Sequence, residues 1–413
     1  MPLGQGTKTK DWGCKKIYTY WYINIPCFRN QEGCFRIIIE TDESAVFPRR
    51  LKEKIYYILG RMSMIMKKIG LLLLAGMMMC SLTACGGGKK DSAVAVSTTG
   101  QTEKAKESTN QKMELKLAHN LAEDHPLHLA AEQFAKEVNE GTNGDITIKI
   151  YPNAMLGNER EVLEQLQNGA IDITRVGAAS LENFSELFSA FTVPYIFDSE
   201  EHFYKVMDSE IADEIYTSSQ EQGLLGLTYY DGGARSFYTK NTPINSPADL
   251  KGLKIRVMEN PSSIRMMEVF DASATPMAYG DIYTALQQGV LDGAENNPTA
   301  LTLGKHGEVA KYYSFDEHTR IPDFMIISTA TWEKISPEYQ EVIKTAAKHS
   351  TEYHTKLWKE SVDASIKEAQ EKYGVQMVYP DKASFQEAVA PIYEELKENQ
   401  AVYDIVQKIL NYK

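Results

Sequence analysis

From Met113 onward the chain switches repeatedly between a two-residue and a helical hydrophobic period, and it runs through this alternation twice. Glu114-Leu115-Lys116-Leu117-Ala118 alternates as a strand with one buried face should. His125-Pro126 opens a helix in which Leu129, Ala130, Phe134 and Val138 recur at helical spacing, and Gly141 and Gly144 end it. Ile146 to Ile150 alternates again. Glu159 to Gln167 reads as a helix stopped by Asn168-Gly169, and Ile171 to Val176 as a third strand. Strand, helix, strand, helix, strand predicts a parallel sheet with helices packed on it. The pattern restarts with a strand at Lys254 to Met258, a helix at Ser262 to Phe270 and another at Tyr279 to Gln287, stopped by Gly289. Between the two units, Leu224 to Tyr230 and Ser236 to Lys240 read as strands able to pass from one to the other. Pro337 to Leu410 is mostly helical, with a strand near Val375 to Tyr379. A chain of 413 residues exceeds one typical domain. The expected fold is therefore α/β with two lobes and a cleft at the strand ends, where ligands of such folds bind.

The segment ahead of this pattern has its own logic. Met66-Lys67-Lys68 is a short basic start, Ile69 to Cys80 an apolar stretch, and Leu82-Thr83-Ala84-Cys85 follows. The apolar run is too short to span a bilayer comfortably, and the order is that of a secretory signal. The last four residues match the lipobox of bacterial lipoproteins, which makes Cys85 the expected lipidation site. Residues 66–85 are thus read as a signal peptide, and residues 1–65 as a probable mis-annotated N-terminal extension upstream of the true initiator Met66. A genuine cytoplasmic extension is the alternative. Residues 86–112 are polar, with almost nothing to bury, and are expected to form a flexible tether. Anchoring would hold the folded part on the outer face of the cytoplasmic membrane.

Chemistry is constrained mainly by what is missing. Cys85 is the last of five cysteines, so the folded part has no thiol for a disulfide framework or a cysteine metal site. The sequence has no Gly-x-Ser-x-Gly elbow, no phosphate loop and no His-Glu-x-x-His. His119, His125 and His128 cluster, but their spacing does not put all three on one helix face and no carboxylate partner is evident. Neither a metal nor a cofactor is expected. The formal net charge of −12 argues against nucleic acid or an anionic surface as partner, while leaving room for a locally positive pocket. Two arginines stand out. Arg235 follows the pair Gly232-Gly233, and Arg256 lies on a strand whose alternation buries Ile255 and Val257 on the other side. A guanidinium fork matches a carboxylate bidentately and stays charged when desolvated. Each could equally pair with a structural Asp or Glu.

Several stretches together resemble the solute-binding proteins of TRAP transporters, the DctP family. They are Tyr151-Pro152 with Leu156 to Glu161, Gly169 to Asp172, Phe191 to Phe197, Leu250 to Val257, Thr275 to Tyr279, and Tyr283 to Asn296. The resemblance covers about Leu115 to the C-terminus. It implies a periplasmic-binding-protein-like fold that closes on an organic acid and delivers it to membrane permease subunits, without catalysis. By the same resemblance Arg256 matches the main carboxylate-binding arginine, Arg235 a second cationic contact, Asn296 a hydrogen-bonding asparagine and Tyr279 an aromatic packed on the ligand. Asn120 and Glu159 fall where the other lobe supplies polar groups. Glu295 and His318 match partners that hold the main arginine. Glu259 and Arg175 depart from the usual pattern; Arg175, with the other lobe's polar groups, is expected to line the site. The segments Gly293 to Asn297 and Asp316 to Asp323 look like those of uronate-binding members, which makes a hexuronate the expected ligand. Residues 113–233 plus 322–361 would form one lobe, and 234–321 plus 362–413 the other. The alternatives are a C4-dicarboxylate or other organic acid, and, from another class, a secreted glycosidase-like enzyme using a carboxylate pair such as Glu159 with Glu259 or Glu295.

Overall fold

A computed structural model of the chain describes residues 112–413. The 1–65 extension, the 66–85 signal segment with Cys85, and the tether up to residue 111 lie outside the described residues.

The first alternating segment becomes β1 (Met113–Ala118), followed by the helix Pro126–Gly141 and β2 (Ile146–Tyr151). β1 and β2 pair in parallel from Met113 opposite Ile146, and β1 also pairs in parallel with β3 (Ile173–Gly177). His125 starts its helix by accepting the Leu127 N–H on its ring at 3.1 Å, with Pro126 in the first turn where a missing N–H costs nothing. The helix Glu159–Gln167 begins in a capping box: Asn158 Oδ1 accepts the Glu161 N–H at 3.0 Å, and Glu161 returns the bond to the Asn158 N–H at 2.9 Å. This cap holds Glu159 at the first helical position, beside the C-terminal end of β3.

β4 (Leu224–Tyr230) closes one edge of the first sheet and β5 (Ala234–Thr239) enters the second, so the chain crosses between sheets at residues 231–233. The second sheet adds β6 (Lys254–Val257), β7 (Ser273–Pro276), β8 (Gly293–Asn296) and β9 (Tyr312–Arg320). The chain crosses back into β10 (Asp323–Ser328), and β11 (Gln376–Val378) completes the second sheet. The orders are β2-β1-β3-β10-β4 and β11-β9-β5-β8-β6-β7. The two crossings touch. Arg320 donates to both oxygens of the buried Asp231 at 3.1 Å, and a Cβ on Gly232 would sit 2.7 Å from the Ile321 carbonyl oxygen. Gly233 has φ +72, a conformation L side chains rarely adopt, so the glycine pair is required by the crossing itself.

The 35-residue helix Pro337–Glu371 spans both halves. Ile343, Ala346 and Ala347 join the first-sheet core, and Ala369 joins the second. The last helix, Gln400–Asn411, corrects one expectation. Val402, Ile405, Val406 and Ile409 pack with Phe191, Phe203 and Phe324 on the first-sheet side, so on this packing we place it with the first lobe rather than the second. Its sequence is amphipathic, which specifies that one face is buried but not against which sheet. Tyr279 likewise opens a short 3-10 turn, Tyr279–Asp281, ahead of the helix Ile282–Gln288.

Candidate ligand-binding cleft

A cavity of about 250 Å³ lies between the two sheets, and Asn120, Glu159, Arg175, Arg235, Arg256, Tyr279 and Asn296 all line it. The first-sheet wall comes from the loop after β1, the start of the helix Glu159–Gln167, and β3; the second-sheet wall comes from β5, β6 and β8. Glu259, Asp281 and Trp358 also reach it.

The three arginines differ in their partners. Arg235 is charge-paired and uses four of its five N–H groups: Nε and Nη2 donate to the two carboxylate oxygens of Glu295 at 2.6 and 2.9 Å, Nη2 also to the Glu295 carbonyl at 2.8 Å, and Nη1 to Asn296 Oδ1 at 2.8 Å. Glu295 is buried too. Burial alone would raise its pKa, but Arg235 and His318 hold it at about 2. His318 stands 2.7 Å from Asp316 and 3.4 Å from Glu295. Burial opposes its charge, yet the Asp316 and Glu295 carboxylates raise it to about 9, so it is an imidazolium at neutral pH. Glu295 and His318 therefore support Arg235, not the main arginine as the resemblance implied.

Arg256 is buried as deeply, at 4% exposure, but among the described residues its only protein bond runs from Nε to the Met277 carbonyl at 2.9 Å. Among the described residues no carboxylate stands within ion-pair distance of it. Burial pulls its pKa below the ordinary guanidinium value, with Glu295 opposing that fall and Arg235 adding to it.

Arg175 faces two carboxylates. Nη1 meets Glu159 Oε1 at 3.1 Å and Asn120 Oδ1 at 3.2 Å, and Nη2 pairs with Asp323. Glu159 Oε2 accepts the Ser180 hydroxyl at 2.5 Å and the Gly177 N–H at 3.4 Å, and Asn120 Nδ2 donates to Oε1 at 3.2 Å. Burial pushes the Asp323 carboxyl up and Arg175 pulls it down, and with the Glu159 charge adding to the rise its pKa lies above the ordinary carboxylate value. Asp323 and Ser180 were missed as site residues. The only sequence signal for Asp323 was its place at the end of the Asp316-to-Asp323 segment.

The clustered histidines do other work. His119 Nε2 and His128 Nδ1 lie 2.9 Å apart, and His125 caps its helix with its ring 5.9 Å from that of Trp358.

Two α/β lobes around a cavity with, among the described residues, one guanidinium lacking a carboxylate partner define a bilobed binding protein of the kind that encloses a small anion. The chain belongs to the DctP family, bacterial extracellular solute-binding protein family 7, whose model matches residues 117–400. It is a family of TRAP-type transport proteins that act outside the cytoplasm. A TRAP periplasmic solute-binding protein from Anaerococcus prevotii, solved with bound α/β-D-glucuronate, is 41% identical and superposes with a TM-score of 0.70, covering 72% of this chain and 98% of that one. One from Sulfitobacter sp. NAS-14.1 with bound β-D-galacturonate is 37% identical, with a TM-score of 0.71 over 72% of this chain and all of that one. The YiiZ protein of Salmonella typhimurium is 42% identical over 289 residues, 70% of this chain and 88% of that protein.

Proposed function

We propose that this protein is the extracytoplasmic receptor of a TRAP uptake system, that it closes on a hexuronate such as glucuronate or galacturonate, and that it hands the ligand to the membrane permease unchanged. The observation that carries the reading is Arg256, a buried guanidinium lining the cavity with no carboxylate of its own among the described residues. A buried charge without a partner is expensive, and a ligand carboxylate is the partner that relieves it. The opposite wall offers carboxylate and amide acceptors at Asp323 and Asn120, which suit the hydroxyls of a sugar acid. Solved relatives holding glucuronate and galacturonate support the same ligand class.

Arg235, Asn296 and Tyr279 take positioning roles in this reading: Asn296 orients Arg235, and Tyr279 closes the cavity beside His306, its ring 5.5 Å away. A glycosidase would need a protonated acid facing a second carboxylate. Glu295 is instead held ionised by Arg235 and His318, and Glu159 accepts hydrogen bonds on both oxygens.

Thermal denaturation tests the ligand. At a hundredfold excess over Kd a native-state ligand adds about 2.7 kcal/mol, a shift of roughly 5 °C for a domain of this size. Glucuronate or galacturonate should produce it. A shift with succinate or malate and none with either uronate would overturn the assignment. The envelope anchor is proposed on sequence alone: Cys85→Ser should release the protein from the membrane fraction, and wild-type protein already found soluble would refute it.

A further inference from the structure

We infer that the first-sheet wall is a charge filter in which Glu159 and Asp323 together reject any ligand that carries a second carboxylate. The inference rests on the uronate reading and names what makes the site selective within organic acids.

Charge is distributed unequally across the cavity. On the second-sheet wall Arg235 and His318 balance Glu295 and Asp316, so this buried group is neutral as a whole. Arg256 is left over, one positive charge for one ligand carboxylate. On the first-sheet wall a single cation, Arg175, meets two carboxylates, Glu159 and Asp323. With both carboxylates ionised that wall carries one negative charge in excess, and it is buried: the three side chains are 11%, 14% and 9% exposed. Coulomb repulsion between like charges is screened little in such a place.

Hydrogen-bond polarity points the same way. Four donors on this wall are already turned inward, since Ser180 Oγ, Asn120 Nδ2, the Gly177 N–H and Arg175 Nη1 all donate to Glu159, and Arg175 Nε, which has no partner among the described residues, is itself buried. Acceptor oxygens remain on Asp323 and Asn120, since Glu159 already receives two donors on each oxygen, and an ionised ligand carboxylate, being acceptor-only, cannot use them. A hydroxyl can donate to them. The wall therefore suits the hydroxyl-bearing end of a uronate and opposes the second acid group of a C4-dicarboxylate or of a hexarate, in which both chain ends are oxidised. Specificity of this kind comes from repulsion built against the competitor as much as from attraction to the ligand.

Titration calorimetry on the purified full-length chain at pH 8 tests it, with D-glucuronate, D-glucarate and glucaro-1,4-lactone as probes. Glucarate has the same six carbons plus the second carboxylate, and the lactone masks one of the two. Wild-type protein should bind glucarate at least a hundredfold more weakly than glucuronate, and the lactone should recover part of that loss. Glu159→Gln and Asp323→Asn should each tighten glucarate by tenfold or more, and this gain is the decisive readout because losing a hydroxyl acceptor cannot produce it. Glucarate within tenfold of glucuronate on wild-type protein overturns the filter and leaves the uronate reading intact. Rejection of glucarate with no gain in either folded variant also overturns it, since shape would then be the cause. If neither variant folds, a lactone no better than glucarate does the same. Absence of glucuronate binding to wild-type protein defeats the underlying reading instead.

Discussion

Arg235 and Arg256 lie on neighbouring parts of one sheet and are both buried, yet removing them should have opposite consequences for the empty protein. Arg235 neutralises Glu295, so Arg235→Ala leaves a buried carboxylate with His318 as its remaining counter-charge. Breaking a buried pair from one side costs about 3–5 kcal/mol. A fall in Tm of roughly 5–9 °C without ligand is expected. Among the described residues Arg256 has only the Met277 carbonyl, and its charge is disfavoured by burial. Arg256→Ala should leave the Tm of the empty protein unchanged or raised, while weakening uronate binding by about a hundredfold to a few thousandfold. Arg256→Lys should recover little, because an ammonium cannot reproduce the guanidinium fork. Calorimetry and denaturation of the same two variants check both halves. If Arg256→Ala destabilises the empty protein as much as Arg235→Ala does, Arg256 is structural.

At the scale of elements, the two lobes meet through a carboxylate that caps a helix belonging to the other lobe. The helix Pro261–Val269 has Asn260 as its N-cap but no side-chain cap of its own. Glu182, at the end of the short helix after β3, supplies one: Oε1 accepts the Ser262 N–H at 3.1 Å and its hydroxyl at 2.8 Å, and Oε2 accepts Asn260 Nδ2 at 2.7 Å. Asn183 adds a bond to the Glu259 carbonyl at 3.1 Å. A binding protein that opens must break these bonds, so they weigh on the closed form. Glu182→Ala removes a cap worth about 1 kcal/mol, with a helix-dipole contribution besides. The expected result is ligand affinity lower by about tenfold, carried by faster dissociation in stopped-flow traces, with little change in the Tm of the empty protein. An unchanged dissociation rate would show that these contacts persist when the lobes part. This bridge also marks the limit of what could be read from sequence. β1, β2 and the helices after them were legible because half-buried strands and helices print their period locally. β8 (Gly293–Asn296) and β10 (Asp323–Ser328) are buried at every residue, so no alternation survives to be read. The arginines were visible as residue types. Which of them is already spent was not, because Glu295 lies 60 residues from Arg235 and Asp323 far beyond Arg175 in sequence.

For the whole molecule, buried histidines of opposite character should shape stability against pH. His119, His306 and His354 are each held near 3, burial being the largest cause, and His125 well below its ordinary value for the same reason. His354 is the clearest case: it is fully buried against Trp358, and neither ring nitrogen has a partner among the described residues. Unfolding frees these rings to protonate near pH 6.5. The unfolded chain therefore binds more protons as pH falls below that value, and stability drops by up to about 1.4 kcal/mol per pH unit for each such histidine. His318 acts in reverse. Its folded value near 9 lies above the unfolded one, so its contribution is fully present below about pH 6.5 and is lost as pH rises through 9. The two effects bracket a maximum near neutrality, with a steep acid limb from several rings and a shallow alkaline limb from one. Urea unfolding at half-unit pH intervals measures both. His354→Phe keeps the stacked ring and removes one proton acceptor, so the acid limb should become shallower and the gain in stability over wild type should grow from pH 7 to pH 5. A gain that is the same at both pH values would mean His354 is not titrating on unfolding, and the acid limb would have to come from the carboxylates.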